Sequence, residues 1–150
     1  MEADLYETPS WLKELFEDWF DPCPISEGKL REFDGLGEWK NKTFVNPPYS
    51  KPLVWVEKAI EENKKGKTIA LLLKLDCSTK WFLKLMDAKA HIILINERVK
   101  FNGVAPPFPS MLAILEGNLK DRTQQAIKEG KQKRLEEGIF IHKKIRGFEK

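Results

Sequence analysis

Two short apolar runs constrain this chain most: residues 67–75, KTIALLLKL, and residues 91–95, HIILI. Neither alternates polar with apolar side chains, so a strand built from either must be covered on both faces. Between them Ser78 or Thr79 can cap a helix over 80–86. Upstream, 42–46 reads as a short strand and 52–65 as a helix, with Pro52 at its start and Gly66 past its end. Strands that alternate with helices predict an α/β fold with a mostly parallel sheet. Residues 98–101, RVKF, are expected to pair with 110–117, SMLAILEG, as an antiparallel hairpin at one edge. Residues 119–137 read as a polar helix and 138–145, GIFIHKKI, as a last strand. Near the start, PSWLKELFEDWF (9–20) sets Trp11, Leu12, Leu15, Phe16 and Trp19 at helical spacing behind Pro9, and Asp21-Pro22 ends that helix. Residues 22–40 hold three Gly and two Pro and read as loop, with a short helix near 27–32.

A length of 150 residues suits one compact domain, and a hydrophobic share of 41% supplies its core. The net charge of +3 is unevenly spread: residues 119–150 carry ten Lys/Arg against five Asp/Glu, and the rest is slightly acidic. That basic end suits either a polyanion partner or a solvated charged helix. Two cysteines, Cys23 and Cys77, make no disulfide framework, and His91 and His142 are isolated, so no metal site is expected. The apolar runs are too short to span a bilayer and no signal peptide opens the chain, so an intracellular, cytoplasmic protein is expected.

In sheets of this kind the loops at the carboxyl ends of the strands gather into the ligand crevice. At one such end stands TFVNPPYS, residues 43–50. The Asn46 side-chain oxygen and the Pro47 carbonyl can accept from the two N–H groups of a planar amine such as the exocyclic amine of adenine. That amine is a poor nucleophile while its lone pair is delocalised, and two acceptors draw it toward tetrahedral geometry. Pro47 and Pro48 stiffen the corner before a substrate arrives and remove competing donors. Tyr49 can stack on a base turned out of its helix. The alternative is a rigid loop in which Asn46 caps a turn and Tyr49 joins the core.

Asn46-Pro47-Pro48-Tyr49 resembles motif IV of the S-adenosylmethionine-dependent amino-methyltransferases. YETPSWLKELF (6–16), FDPCP (20–24), DGL (34–36), STKWF (78–82), ERVKF (97–101) and PPFPSMLAIL (106–115) are similar, in order, to the compact phage-type, Dam-like DNA adenine-N6 methyltransferases. The resemblance covers about residues 6–116. It implies a minimal Rossmann-like methyltransferase fold in one domain without a separate target-recognition domain. It implies S-adenosyl-L-methionine as cofactor, DNA as partner, a phage or prophage source, and no membrane; a homodimer is left open. Tyr6, Thr8 and Pro9 would lie against the methionine part of the cofactor, Asp21, Pro22 and Cys23 would start its loop, and Asp34, Gly35 and Leu36 would meet its adenine. Asn46 would border it too. Phe101 would sandwich the target base with Tyr49. By charge alone, Arg98 and the basic residues Lys131, Lys133, Arg134, Lys143, Lys144 and Arg146 are candidates to meet DNA phosphates, with solvated side chains as the alternative.

The chain departs from the wider pattern where a glycine-rich loop is usual. PCPISEG stands there with one glycine, Gly28, and only Glu27 and Glu32 offer themselves to ribose hydroxyls. Each of these residues also has a plainer role. Thr8 can cap the helix at Pro9, Asp21 and Asp34 can form turns, Cys23 can be a small loop hydrophobe, and Phe101 can be core. Rival functions are the same chemistry on RNA or a protein glutamine, and a non-catalytic nucleic-acid-binding relic of the fold.

Overall fold

A computed structural model describes residues 7–26, 29–30, 35–117 and 139–142. The described elements are α1 (Ser10–Leu15), β1 (Ile25–Ser26), β2 (Lys29–Leu30), β3 (Lys42–Val45), α2 (Pro52–Lys64), β4 (Thr68–Lys74), α3 (Lys80–Asp87), β5 (His91–Ile95), β6 (Ser110–Leu115) and β7 (Ile139–His142). Strands and helices alternate from β3 to β5, as expected of an α/β protein. β1 and β2 form a small antiparallel pair where a short helix was expected.

The five-stranded sheet has the order β3-β4-β6-β5-β7. β3 pairs parallel with β4 and β5 with β7, whereas β6 runs antiparallel to both β4 and β5. The sheet is therefore mixed, not mostly parallel by pairing, although β3, β4, β5 and β7 all point one way. The expected edge hairpin does not form. Residues 98–100 have no strand, Phe101 makes only an isolated bridge to Val104, and β6 is an interior strand. The reason is written in β6 itself: all six residues are buried, with Met111, Ala113 and Leu115 on one face and Leu112 and Ile114 on the other. Such a strand loses most by lying at an edge, since each fully buried Leu, Ile or Met side chain contributes about 1.5–3 kcal/mol.

Two apolar layers sandwich the sheet. On one face Ile69, Leu71, Leu73 and Ile92 pack with Trp55, Val56 and Ala59 of α2 and Trp81 and Leu85 of α3. On the other, Phe44, Ala70, Leu72 and Ile93 pack with Leu12 and Phe16, and with Val99 and Phe101. This double cover explains the unbroken apolar runs. Thr79 caps α3, its hydroxyl accepting from Phe82 N–H at 3.2 Å. α2 ends before Gly66, which takes φ +97°, a left-handed conformation suited to glycine.

α1 stops at Leu15, earlier than its helical spacing suggests. Phe16 stacks on Phe44 at 4.5 Å, Trp19 meets Phe16 edge-on at 5.1 Å, and Phe20 leaves helical geometry to bridge Thr43 in parallel. Phe20 N–H donates to Lys42 O and Phe44 N–H to Phe20 O, both at 2.9 Å. Sheet pairing and ring packing thus outweigh local helix propensity. The helix expected over 119–137 lies outside the described residues, and β7 falls within the last expected strand.

Candidate active site

β3 delivers Asn46 to its site. Val45 is fully buried, and Asn46 follows it at 4% exposure. The Asn46 Nδ2 donates to Thr8 Oγ1 at 3.0 Å, across 38 residues of sequence. The helix cap is Pro9 and carries no side-chain hydrogen bond, so Thr8 is spent on Asn46 and not on capping α1. With Nδ2 so held, the planar carboxamide has one orientation and its Oδ1 points away from Thr8. Pro48 O accepts from Lys51 N–H at 3.2 Å, closing the turn into α2. The Pro47 carbonyl enters no hydrogen bond among the described residues.

Tyr49 is half-buried between two rings. Phe101 meets it edge-on at 5.9 Å and 83°, and Phe108 at 5.3 Å and 55°. Phe101 is 0% exposed, so it stands as a wall behind Tyr49 with its own faces in the core. Tyr49 also borders a cavity of about 190 Å³ with Pro52, Leu73, Lys74, Asp76, Thr79 and Trp81. Asp76 accepts from the Ser78 hydroxyl at 2.6 Å and the Ser78 N–H at 3.1 Å, and these hold its carboxyl below the usual carboxylate range. Phe108 was not singled out by sequence reasoning; the signal was an aromatic set among three prolines.

Asp21 follows the Phe20 bridge, so it leaves the sheet beside the end of β3. It shares a cavity of about 330 Å³ with Phe44, Phe16, Trp19 and Lys13. Its Oδ1 accepts from Cys23 N–H at 2.9 Å, so the turn-forming role is real. Burial nevertheless pushes the Asp21 carboxyl above its ordinary value, opposed by that hydrogen bond and by Lys13. Cys23 is buried in the core. Pro22 meets Gly35 backbone to backbone: a Cβ on Gly35 would collide with the Pro22 carbonyl oxygen and lie 2.7 Å from the Trp55 ring. Only glycine permits that approach, which joins the 21–23 loop to the 35–36 segment, where Leu36 is 42% exposed.

Trp39 holds that segment from the other side. Its Nε1–H donates to Gly35 O at 2.7 Å, and its N–H to Glu62 Oε1 at 2.7 Å. Glu62 is fully buried and also takes Lys65 at 2.7 Å and Lys67 at 3.0 Å. Desolvation would raise its pKa, but Lys65, the Trp39 N–H, Lys67 and Lys58 together bring it down to about 2.

The structure thus brings together Thr8 with Asn46, Pro22 with Gly35, and Tyr49 with Phe101. Arg98 is exposed and borders a separate cavity of about 470 Å³ with Pro9, Trp11, Lys100 and Gly103. Tyr6, Asp34, Glu27, Glu32, Lys131, Lys133 and Arg134 lie outside the described residues.

The family model for DNA N-6-adenine-methyltransferase (Dam) matches residues 32–136. A DNA N-6-adenine-methyltransferase of Haemophilus phage HP1 (strain HP1c1) is 32% identical, the match covering 67% of this chain and 67% of the relative. One of Escherichia phage T1 is 43% identical over 61% of this chain and 44% of the relative, so the chain spans under half of that protein. No solved structure gives a significant match.

Proposed function

Since the chain belongs to the DNA N-6-adenine-methyltransferase (Dam) family, we propose that it methylates the exocyclic N6 amine of an adenine turned out of DNA, with S-adenosylmethionine as donor. The carrying observation is the buried Asn46 carboxamide, oriented by Thr8 at the end of β3. Its Oδ1 and the Pro47 carbonyl accept from the two amine hydrogens and draw the nitrogen lone pair out of the ring. The prolines keep both acceptors in place, so little reorganisation accompanies the reaction. Tyr49, braced by Phe101 and Phe108, offers a ring against which the base rests. No side chain need remove a proton first: the N–C bond would form as the donor's S–methyl bond breaks to leave a neutral thioether, and the nitrogen, made acidic by its new bond, would then release one proton to water.

The residues present suit the donor. S-adenosylmethionine supplies an electrophilic methyl group on a cationic sulfonium. Asp21, with its charge costly to bury, gains from a nearby cation, and Thr8 and Asn46 border the same end of the sheet. The Pro22–Gly35 approach and the Trp39 anchor hold the two loops that would flank the donor's adenine, with Asp34 next in sequence. The fold reads as a reduced Rossmann-like methyltransferase, supported by four strands of one direction and by loops gathered at their carboxyl ends. The basic segment 119–150 would grip phosphates without reading sequence. The phage relatives favour a phage- or prophage-encoded protein acting inside the cell. Among the described residues, no helix is long and apolar enough to cross a membrane.

The test is direct. The protein is incubated with donor and unmethylated genomic DNA, and the DNA is digested to nucleosides and weighed. N6-methyladenine is the expected product. A folded protein that binds no donor by calorimetry, or that methylates only RNA or a protein glutamine, defeats the reading. An Asn46→Ala protein as active as the original would also defeat it.

A further inference from the structure

Loop 102–107 begins and ends on Tyr49. Phe101 on one stem and Phe108 on the other both pack on that ring, at 5.9 and 5.3 Å. The loop between them is stiff. Phe101 and Val104 exchange two backbone hydrogen bonds, of 2.9 and 3.0 Å. The two residues they enclose, Asn102 and Gly103, have φ of 53° and 77°, the positive pair that a tight type I′ hairpin turn demands. Pro106 and Pro107 restrict the return, and Pro109 O accepts from Leu75 N–H at 2.9 Å, tying the far stem to the end of β4. Directly after the turn Val104 is 61% exposed, an apolar side chain held out beside the tip. Just before it, Arg98 and Lys100 are exposed while Val99 and Phe101 point inward, so two cations share the outer side. Glu97, half-buried, is the carboxylate beside them.

A base turned out of a duplex leaves a gap in the stack, and apolar side chains that enter such gaps offset the lost stacking. We propose that loop 102–107 is the element that enters the duplex, with Val104 filling the space vacated by the adenine while Arg98 and Lys100 meet the flanking phosphates. The inference rests on the adenine-methylation reading. It assigns Val104 a positioning role: it touches neither donor nor reacting amine, and holds the base on Tyr49 by blocking its return. Charge and shape favour a DNA duplex here: two cations and an exposed apolar side chain on a tight turn, next to the ring that receives the base.

The test uses the full chain. The modified adenine is first located by sequencing genomic DNA treated with the protein. Two duplexes are then made around it, one with thymine opposite the adenine and one with an abasic site there, where the adenine is already loosely held. Val104→Ala removes two methyl groups and is expected to slow methylation of the paired duplex roughly tenfold, the worth of about two buried methyls. On the abasic duplex the change should be within about twofold, because the adenine has no pairing partner to return to and less depends on blocking that return. Val104→Leu should restore the paired rate, and 2-aminopurine at the target should fluoresce less with Val104→Ala than with the original protein. Equal slowing on both duplexes, or none on either, overturns the proposal while leaving the function intact. An original protein inactive on both defeats the underlying reading and the proposal with it.

Discussion

Two carboxylates stand at opposite ends of the sheet, Glu62 fully buried and Asp21 half-buried, and their surroundings differ in kind. Glu62, near the amino ends of β3 and β4, is met by Lys65, Lys67, Lys58 and a backbone N–H, and its pKa falls to about 2. Asp21, near the carboxyl end of β3, has one backbone donor and a more distant Lys13, and burial wins, raising its pKa. Burial is common to both, so burial alone does not mark function. A buried charge whose needs are met internally is architecture; one left costly is a place where an incoming cation would be welcome. Trp39 belongs to the first kind, its N–H, carbonyl and ring nitrogen all engaged within the fold.

The largest effect should come from the architectural side. Glu62→Ala takes from the buried Lys67 its close carboxylate, leaving the Trp39 carbonyl and the more distant Glu38, and is expected to cost about 3–5 kcal/mol of unfolding free energy, read by denaturant titration. Acidification tests the same group. Its folded pKa lies below the unfolded value, so its stabilisation is present above about pH 4.5 and is lost as pH falls through about 2. Glu62→Gln should flatten that acid limb. If neither change matters, the contrast between the two ends fails.

At the other end the order of effects reverses. Asn46→Ala should lower methyl transfer by roughly 10²–10³, the usual loss on removing an oriented polar group, while changing stability by about 1–2 kcal/mol at most. Asp21→Asn should weaken donor binding by about tenfold in calorimetry and raise stability slightly, since a costly charge is removed. A variant that binds donor normally and is less stable would place Asp21 with Glu62. The smallest effect is expected of Thr8→Val: a loss of a few-fold in turnover, since one hydrogen bond of about 1 kcal/mol orients Asn46.

How much of this was legible in the sequence depended on range. β4, β5, α2 and α3 were readable to within a residue or two, because each is set by a local apolar pattern between clear caps. The corner Asn46-Pro47-Pro48-Tyr49 was readable because its chemistry sits in four consecutive residues. The place of β6 was missed: an adjacent loop suggested a hairpin with 98–101, but pairing is decided by distant partners, and a strand apolar on both faces is drawn to the middle. The early end of α1 was hidden likewise, since Phe20 answers to Thr43 and not to its own neighbours. Thr8 was named for either the donor or a helix cap, and its bond to Asn46, 38 residues away, had no local sign. The Glu62–Lys67–Trp39 cluster is spread along the chain with only its charges visible.

β6 also bears on how the protein is made. It is the hydrogen-bonded link between β4 and β5, yet every residue of it is synthesised after both. A nascent chain halted before residue 110 holds the first parallel pair and a lone β5 with no ladder between them. Closure must wait for the ribosome to release the keystone strand, and the contacts that complete the sheet are non-local and correspondingly slow. Chains stalled before residue 110 should be cut rapidly by protease, and those stalled well past residue 115 should resist; equal resistance would show that the pieces stand alone.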